Sequence, residues 1–138
     1  MDNFFTEVTS VRFLKIVTDS LGLEKQLCET HTGQLLYGQF FLSATSAGVN
    51  YEDAWANESM ADFIVKMQLV TMDLRKLQYY LKLIIVAKII AQDNEVLGSI
   101  ANEITVLIGI ATKSMATAKT KIGKQTPGRI GILHSLNR

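Results

Sequence analysis

The segment from Ser59 to Ala91 carries two separate rows of apolar residues, and this feature constrains the fold more than any other. Both rows advance by steps of three and four residues, the spacing of a coiled-coil-type seam on an α-helix, and the second row is broken only by Lys76. The first row is Phe63, Met67, Val70, Leu74, Leu77, Leu81 and Ile84, and the second is Val65, Leu69, Met72, Tyr79, Leu83, Val86 and Ile90. Since a surface helix needs only one apolar stripe, we predict a helix that is either central in its domain or buried against another subunit.

A second long helix is predicted after the polar turn at residues 92–95, and it should pair with the first as an antiparallel hairpin. Ser59 followed by Asp62 resembles a capping box that opens the first helix of this hairpin. Leu97, Ile100, Ile104, Leu107 and Ala111 form the apolar stripe of the second helix. Its small residues Ala101, Thr105 and Gly109 lie four apart and predict close approach of another helix, either within the bundle or from a neighbouring subunit.

The residues before Ser59 predict further helices of less regular form. A helix spans residues 4–21 and ends at Gly22, with apolar side chains along one face. These are Phe4, Phe5, Val8, Val11, Leu14, Val17 and Leu21. Residues 23–47 predict a helical region that is broken or kinked, because Gly33 and Gly38 disfavour helix. Residues 48–58 are predicted to be a connection, with or without a helical turn.

Together these patterns predict an all-α fold, a bundle of about four helices in a single domain covering residues 1–138. The composition agrees, because 48% hydrophobic residues, 20% charged residues and one proline argue against disorder and against a turn-rich β-sandwich. Residues 124–138 are predicted to be a basic, non-helical C-terminal tail that contains the Pro127-Gly128 turn signal.

Charge is distributed unevenly along the chain. Residues 1–103 hold all 13 acidic residues and 8 Lys or Arg. The remainder is free of acids and carries Lys113, Lys119, Lys121, Lys124, Arg129 and Arg138. This basic series could contact phosphates of a nucleic acid or an acidic partner, including a neighbouring subunit, although lysines near a helix C-terminus are also favoured by the helix dipole.

No combination of residues predicts catalysis or a cofactor. Cys28 and His31 have a spacing that would place both on one helix face, but two ligands do not make a metal site. The acidic pairs at 52–53 and at Asp93 and Glu95 are explained by helix N-termini. We therefore expect no enzyme activity, no metal, no cofactor and no small-molecule substrate.

Lys82 and Lys88 interrupt an apolar run, and a buried amine is costly unless it is paired or reaches water. Pairing of the hairpin about its turn places Lys82 opposite Glu103. Two interpretations follow, a lysine whose stem extends to solvent and an ion pair that fixes the register between helices or subunits.

The functional prediction is a non-enzymatic structural subunit that forms a homo-oligomer, as in a filament, a shell or a secretion-type assembly. One alternative is a nucleic-acid-associated accessory or coat protein that uses the basic C-terminal segment. Another is a helical hairpin that inserts into a membrane within an oligomer, which the charges in the apolar runs disfavour. The N-terminal residues do not resemble a signal peptide, which predicts a cytoplasmic protein or one exported without a leader.

Overall fold

The computed structural model describes residues 3–56, 59–91 and 94–125, and five helices account for most of them. The helices are α1 (Asn3–Leu21), α2 (Glu24–Leu27), α3 (His31–Ala56), α4 (Met60–Val86) and α5 (Glu95–Gln125). The described ranges contain no strand. The predicted all-α bundle is therefore confirmed, with α4 and α5 as its two longest helices.

The four long helices form a closed bundle in which each packs against two others. Helix α1 contacts α3 and α5, and α4 also contacts α3 and α5, so α1 and α4 occupy diagonally opposite corners. Helices α3 and α4 run antiparallel, because Ser46 bonds to Asp73 whereas Asp53, further along α3, pairs with the earlier residue Lys66. The arrangement is that of an up-down-up-down bundle with short connections.

The core is built around the first apolar row of α4, as predicted. All seven residues of that row are buried, and they pack with the predicted stripe of α5 at the centre of the bundle. From α3 the core receives mainly Phe40, Ala44, Ala47, Tyr51 and Ala54.

The N-termini of α4 and α5 are both capped by polar side chains. The Ser59 side-chain oxygen accepts a hydrogen bond from the Asp62 backbone N–H, which confirms the predicted cap. The cap of α5 is Asn94, whose Oδ1 accepts from the backbone N–H groups of Val96 and Leu97. Lys88 adopts φ 57°, the left-handed conformation that turns the chain after α4.

The prediction of a connection at residues 48–58 is wrong for the part that the structure describes, because α3 continues to Ala56. Its polar residues are used between helices. Asn50 donates to the Asp73 carboxylate on α4. The Tyr51 ring stacks on Phe13 of α1 at a centroid distance of 4.8 Å, and Trp55 contacts Phe63 of α4 at 4.6 Å. These contacts extend α3 by more than two turns.

The helical region predicted at residues 23–47 is broken, as expected, but the break does not occur at Gly33 or Gly38. The helical path is interrupted after Leu27, and α3 then runs through Gly33 and Gly38 without a break. Gly33 is buried, and a Cβ added there would collide with the backbone carbonyl of Leu27. Gly33 therefore permits close packing of α3 against the end of α2.

Helix α1 is oriented differently from what its apolar pattern suggests. Its buried residues are Thr9, Phe13, Ile16 and Ser20, two of them polar. Most of the predicted apolar face points away from the core, and Phe4 is 73% exposed. The strongest apolar face of α1 is thus an outer surface of the bundle.

Candidate assembly surface

The second apolar row of α4 lies on the outer surface of the described chain and is interrupted by Lys76. Val65, Leu69, Met72, Tyr79, Leu83 and Val86 are all exposed. At 3.6 residues per turn they lie on the side of α4 opposite the buried row. We call these six residues the outer row of α4. The interpretation of α4 as a helix surrounded by its own domain is excluded for the described residues.

Ile90 does not belong to this surface, which corrects its predicted place in the second row. Helix α4 ends at Val86, and Ile90 lies in the following turn, where it is only 4% exposed. The change of backbone direction at Lys88 breaks the helical periodicity that connected Ile90 to the row. Ile90 is a core residue of this chain and is removed from the predicted contact set.

Polar contacts with α3 hold α4 in the rotation that exposes its outer row. The Asp73 carboxylate accepts hydrogen bonds from Ser46 Oγ at 2.8 Å and from Asn50 Nδ2 at 3.1 Å. About two turns earlier on α4, Lys66 Nζ lies 3.7 Å from a carboxylate oxygen of Asp53. These contacts lie on the flank of α4, between its buried and exposed faces.

The small residues of α5 divide between two environments. Ala101 is half-buried and packs against the core, whereas Thr105 and Gly109 are exposed. A Cβ added at Gly109 would meet no atom within 4 Å. Close helix packing within the bundle is therefore not the reason for glycine at position 109. A contact with another subunit remains a prediction.

Lys82 does not pair with Glu103 within the chain, and its exposure agrees with the interpretation in which the lysine stem reaches solvent. Lys82 is exposed, and Glu103 forms two hydrogen bonds with the Arg12 guanidinium of α1, at 2.8 and 3.0 Å. The hydrogen bonds from Arg12 hold the pKa of Glu103 below its ordinary value despite partial burial, and the Glu103 carboxylate raises the pKa of Arg12. The pairing therefore joins α1 to α5. Lys88 is also exposed, which agrees with a stem that reaches solvent.

In the folded chain, acidic residues predominate in one pair of neighbouring helices and basic residues predominate in the other pair. The described residues before Ser59, which include the neighbouring helices α1 and α3, contain six acidic and three basic residues. The described residues from Ser59 onward, which include the neighbouring helices α4 and α5, contain four acidic and nine basic residues. We call these the acidic layer and the basic layer. Sequence reasoning divided the chain at residue 103 and so missed Arg75, Lys76 and Lys82 as part of the basic layer.

The predicted basic series is only partly within the described chain. Lys113, Lys119, Lys121 and Lys124 are exposed on α5, which continues to Gln125 and so includes the first residues assigned to the tail. Helical geometry places Lys113 and Lys124 on one side and the other two elsewhere, so the four do not form a single stripe. Arg129 and Arg138 lie outside the described residues.

The other sequence candidates are not brought together into a site. Cys28 follows α2 and His31 begins α3, so they do not share a helix face. In the described ranges no three His, Cys, Asp or Glu side chains are grouped as metal ligands. One helix within those ranges, α5, is long and apolar enough to cross a membrane. Helix α4 does not meet that criterion, so the membrane hairpin gains no support from its first helix.

Comparison with known proteins identifies the fold without identifying a function. No family model matches the chain, and no curated protein matches it. A solved structure from Bacteroides thetaiotaomicron, described as a protein of unknown function from the S23 ribosomal protein family, is similar to it. The TM-score is 0.71 with 24% sequence identity, covering 80% of this chain and 97% of that chain. At this identity the similarity establishes a shared helical-bundle fold.

Proposed function

We propose that the protein is a structural subunit that catalyses no reaction and assembles with copies of itself through the outer row of α4. The exposure of six large apolar side chains on one side of one helix is the observation that supports this most strongly. Scattered apolar residues are normal on a monomer, but a contiguous apolar surface marks a site of interaction.

The helical geometry of the row suits a helix-to-helix contact. Val65 and Val86 are 21 residues apart, so the outer row extends over about 32 Å of helix at 1.5 Å per residue. Its steps of three and four residues match the ridges that interlock between packed helices. Covering the row removes apolar side chains from water, which supplies the driving force for association.

The proposal is tested by measuring solution mass by light scattering over a concentration series. We expect the wild-type chain to exceed the mass of one chain and to dissociate on dilution. Met72→Asp should weaken association at least about tenfold, because a carboxylate in an apolar contact loses its hydration. Gln39→Asp is the matched control, since it adds the same charge at an exposed position of α3. A wild-type chain that stays monomeric at every concentration would contradict the proposal.

A second candidate function is association with nucleic acid, which the basic layer favours. Nine basic residues lie in residues 60–125, and the lysines of α5 form no ion pair within the described part of the chain. Lys and Arg contacts to phosphate release counterions and need no base-reading motif. The similar Bacteroides protein belongs to a family named for a ribosomal protein, which makes RNA the first nucleic acid to test.

Binding of the wild-type chain to a labelled RNA at about 50 mM salt tests this candidate, because phosphate contacts are strongest at low salt. The double variant Lys119→Glu with Lys121→Glu should weaken binding, and the affinity of the wild-type chain should fall steeply as salt rises. Thr120→Glu places a single negative charge between these positions and serves as the comparison. Undetectable binding at this salt concentration would exclude the candidate.

A further inference from the structure

Helix α1 presents a second apolar surface that the proposed contact through α4 does not use. Its exposed apolar residues follow one side of the helix at spacings of three, four and seven residues. We call them the outer face of α1, and they are Phe4, Val8, Val11, Leu14 and Leu21. The face extends over about 26 Å, close to the length of the outer row of α4.

These two surfaces point in opposite directions from the bundle. Helices α1 and α4 stand at diagonal corners, and each of the two apolar surfaces lies on the side of its helix remote from the core. One neighbouring copy therefore cannot cover both surfaces of the same chain. Covering both requires a neighbour on each side.

Each of the two surfaces carries an exposed charge that forms no ion pair within the described chain, and these two charges are opposite in sign. The outer face of α1 belongs to the acidic layer, and the outer row of α4 belongs to the basic layer. Glu7 lies within the outer face of α1, between Phe4 and Val8, and is exposed. Lys76 interrupts the outer row of α4 between Met72 and Tyr79 and is also exposed. Neither side chain forms an ion pair within the described chain.

We infer that the outer face of α1 in one copy docks on the outer row of α4 in the next copy. This inference rests on the proposed function and names the surface that covers α4. In this contact Glu7 of one copy can form an ion pair with Lys76 of the next. The charge on each apolar surface then faces a charge of the other sign. The contact is heterologous, and repeating it continues the assembly in a ring or a filament.

A symmetric contact between two α4 surfaces is disfavoured by the same charges. It would bring Arg75, Lys76 and Lys82 of two basic layers together, and like charges at a contact cost free energy.

A mixing experiment with two surface variants separates these arrangements. Val11→Asp damages the outer face of α1, and Met72→Asp damages the outer row of α4. Each variant alone should remain monomeric at concentrations where the wild-type chain is assembled. When mixed, the intact α4 row of Val11→Asp can bind the intact α1 face of Met72→Asp, so the mixture should form a dimer with one copy of each and nothing larger.

Circular dichroism and thermal unfolding establish that each variant is folded, and Leu14→Asp replaces Val11→Asp if that variant is not. Gln39→Asp, alone and in the mixture, should leave the assembly unchanged. As a test of the charge pair, Glu7→Lys and Lys76→Glu should each weaken assembly several-fold, and the chain carrying both changes should regain most of the loss.

The outcomes distinguish this inference from the proposed function. A wild-type chain that is monomeric at every concentration overturns both. A wild-type assembly that is lost in Met72→Asp but kept in Val11→Asp and Leu14→Asp retains the proposed function and overturns the α1 contact. Folded variants that are each monomeric and form no dimer when mixed also overturn it.

Discussion

The two sides of α4 are built from the same kinds of residue and differ almost completely in burial. Met67 on the inner side is 0% exposed, whereas Met72 on the outer side is 55% exposed. Leu74 and Leu77 are buried, and Leu69 and Leu83 are exposed on the same helix. Apolar periodicity therefore identifies the faces of a helix that avoid water, but not the element that covers each face.

This difference divides the stabilising role of the helix into two parts. The inner side contributes to folding of one chain, because its side chains are covered by α3 and α5. The outer side contributes nothing comparable to the free chain, because its side chains remain exposed. Substitutions on the inner side should therefore change the folding equilibrium of one chain, whereas substitutions on the outer side should change the association equilibrium between chains.

The largest expected difference is between Met67→Ala and Met72→Ala. Met67→Ala should lower the free energy of unfolding by about 2–5 kcal/mol, because it leaves a cavity in the core. Met72→Ala should change it by less than about 0.5 kcal/mol at concentrations where the chain is dissociated, since the side chain is already exposed. Denaturant unfolding measures both values. Equal losses for the two dilute chains would show that the outer row is covered within a single chain.

A smaller difference in stability is expected between alanine substitutions at a buried glycine and at an exposed glycine. Gly33→Ala should destabilise the chain by about 1–3 kcal/mol, because the new Cβ collides with the Leu27 carbonyl and forces α2 away from α3. Gly109→Ala should stabilise the dissociated chain by up to about 1 kcal/mol, because alanine favours helix and its Cβ meets open space. Thermal unfolding of both variants measures these opposite effects. Destabilisation of the dilute chain by Gly109→Ala would contradict the open space beside Gly109.

The smallest difference concerns two ion pairs of α1. Glu103→Gln removes the carboxylate that is held by two hydrogen bonds to Arg12, and should cost about 1 kcal/mol at neutral pH. Asp19→Asn removes the partner of the exposed Lys15, and should cost less than about 0.5 kcal/mol.

The pH dependence of the first of these variants follows from the lowered pKa of Glu103. Hydrogen bonds from Arg12 lower this pKa in the folded chain, so the contribution is complete above the ordinary carboxyl pKa of 4.5 and is lost as pH falls through the lower folded value. Unfolding curves of wild type and Glu103→Gln should therefore differ at pH 7 and converge in acid. A difference that persists unchanged below the folded pKa would assign the effect to packing instead of charge.

The fold was predictable where one interaction dominated the local sequence. The buried row of α4 and the Ser59 cap each depend on residues only a few positions apart, and both predictions are confirmed. The end of α3 was not predictable in this way. Asn50, Tyr51 and Trp55 resemble a connection in sequence, but their partners Asp73, Phe13 and Phe63 lie on other helices.

The orientation of α1 shows a different limit of sequence reasoning. Its buried face contains Thr9 and Ser20, whose polar groups make it less apolar than the exposed face. Ser20 satisfies its hydroxyl locally by donating to the Val17 carbonyl. A rule that places the most apolar face inward therefore assigns α1 the wrong rotation. The pairing of Glu103 with Arg12 was missed for the same reason. Arg12 lies on the flank of α1, and its position depends on the rotation of that helix.

The acidic and basic layers also have a consequence for the rate of any encounter between copies. The unequal charge of the two layers gives the molecule an electric dipole, although the chain as a whole carries a formal net charge of only +1. Two such dipoles rotate each other towards head-to-tail alignment before their surfaces meet. Association should therefore be fast in dilute buffer and slow as salt screens the dipoles, even if the final contact is mainly apolar.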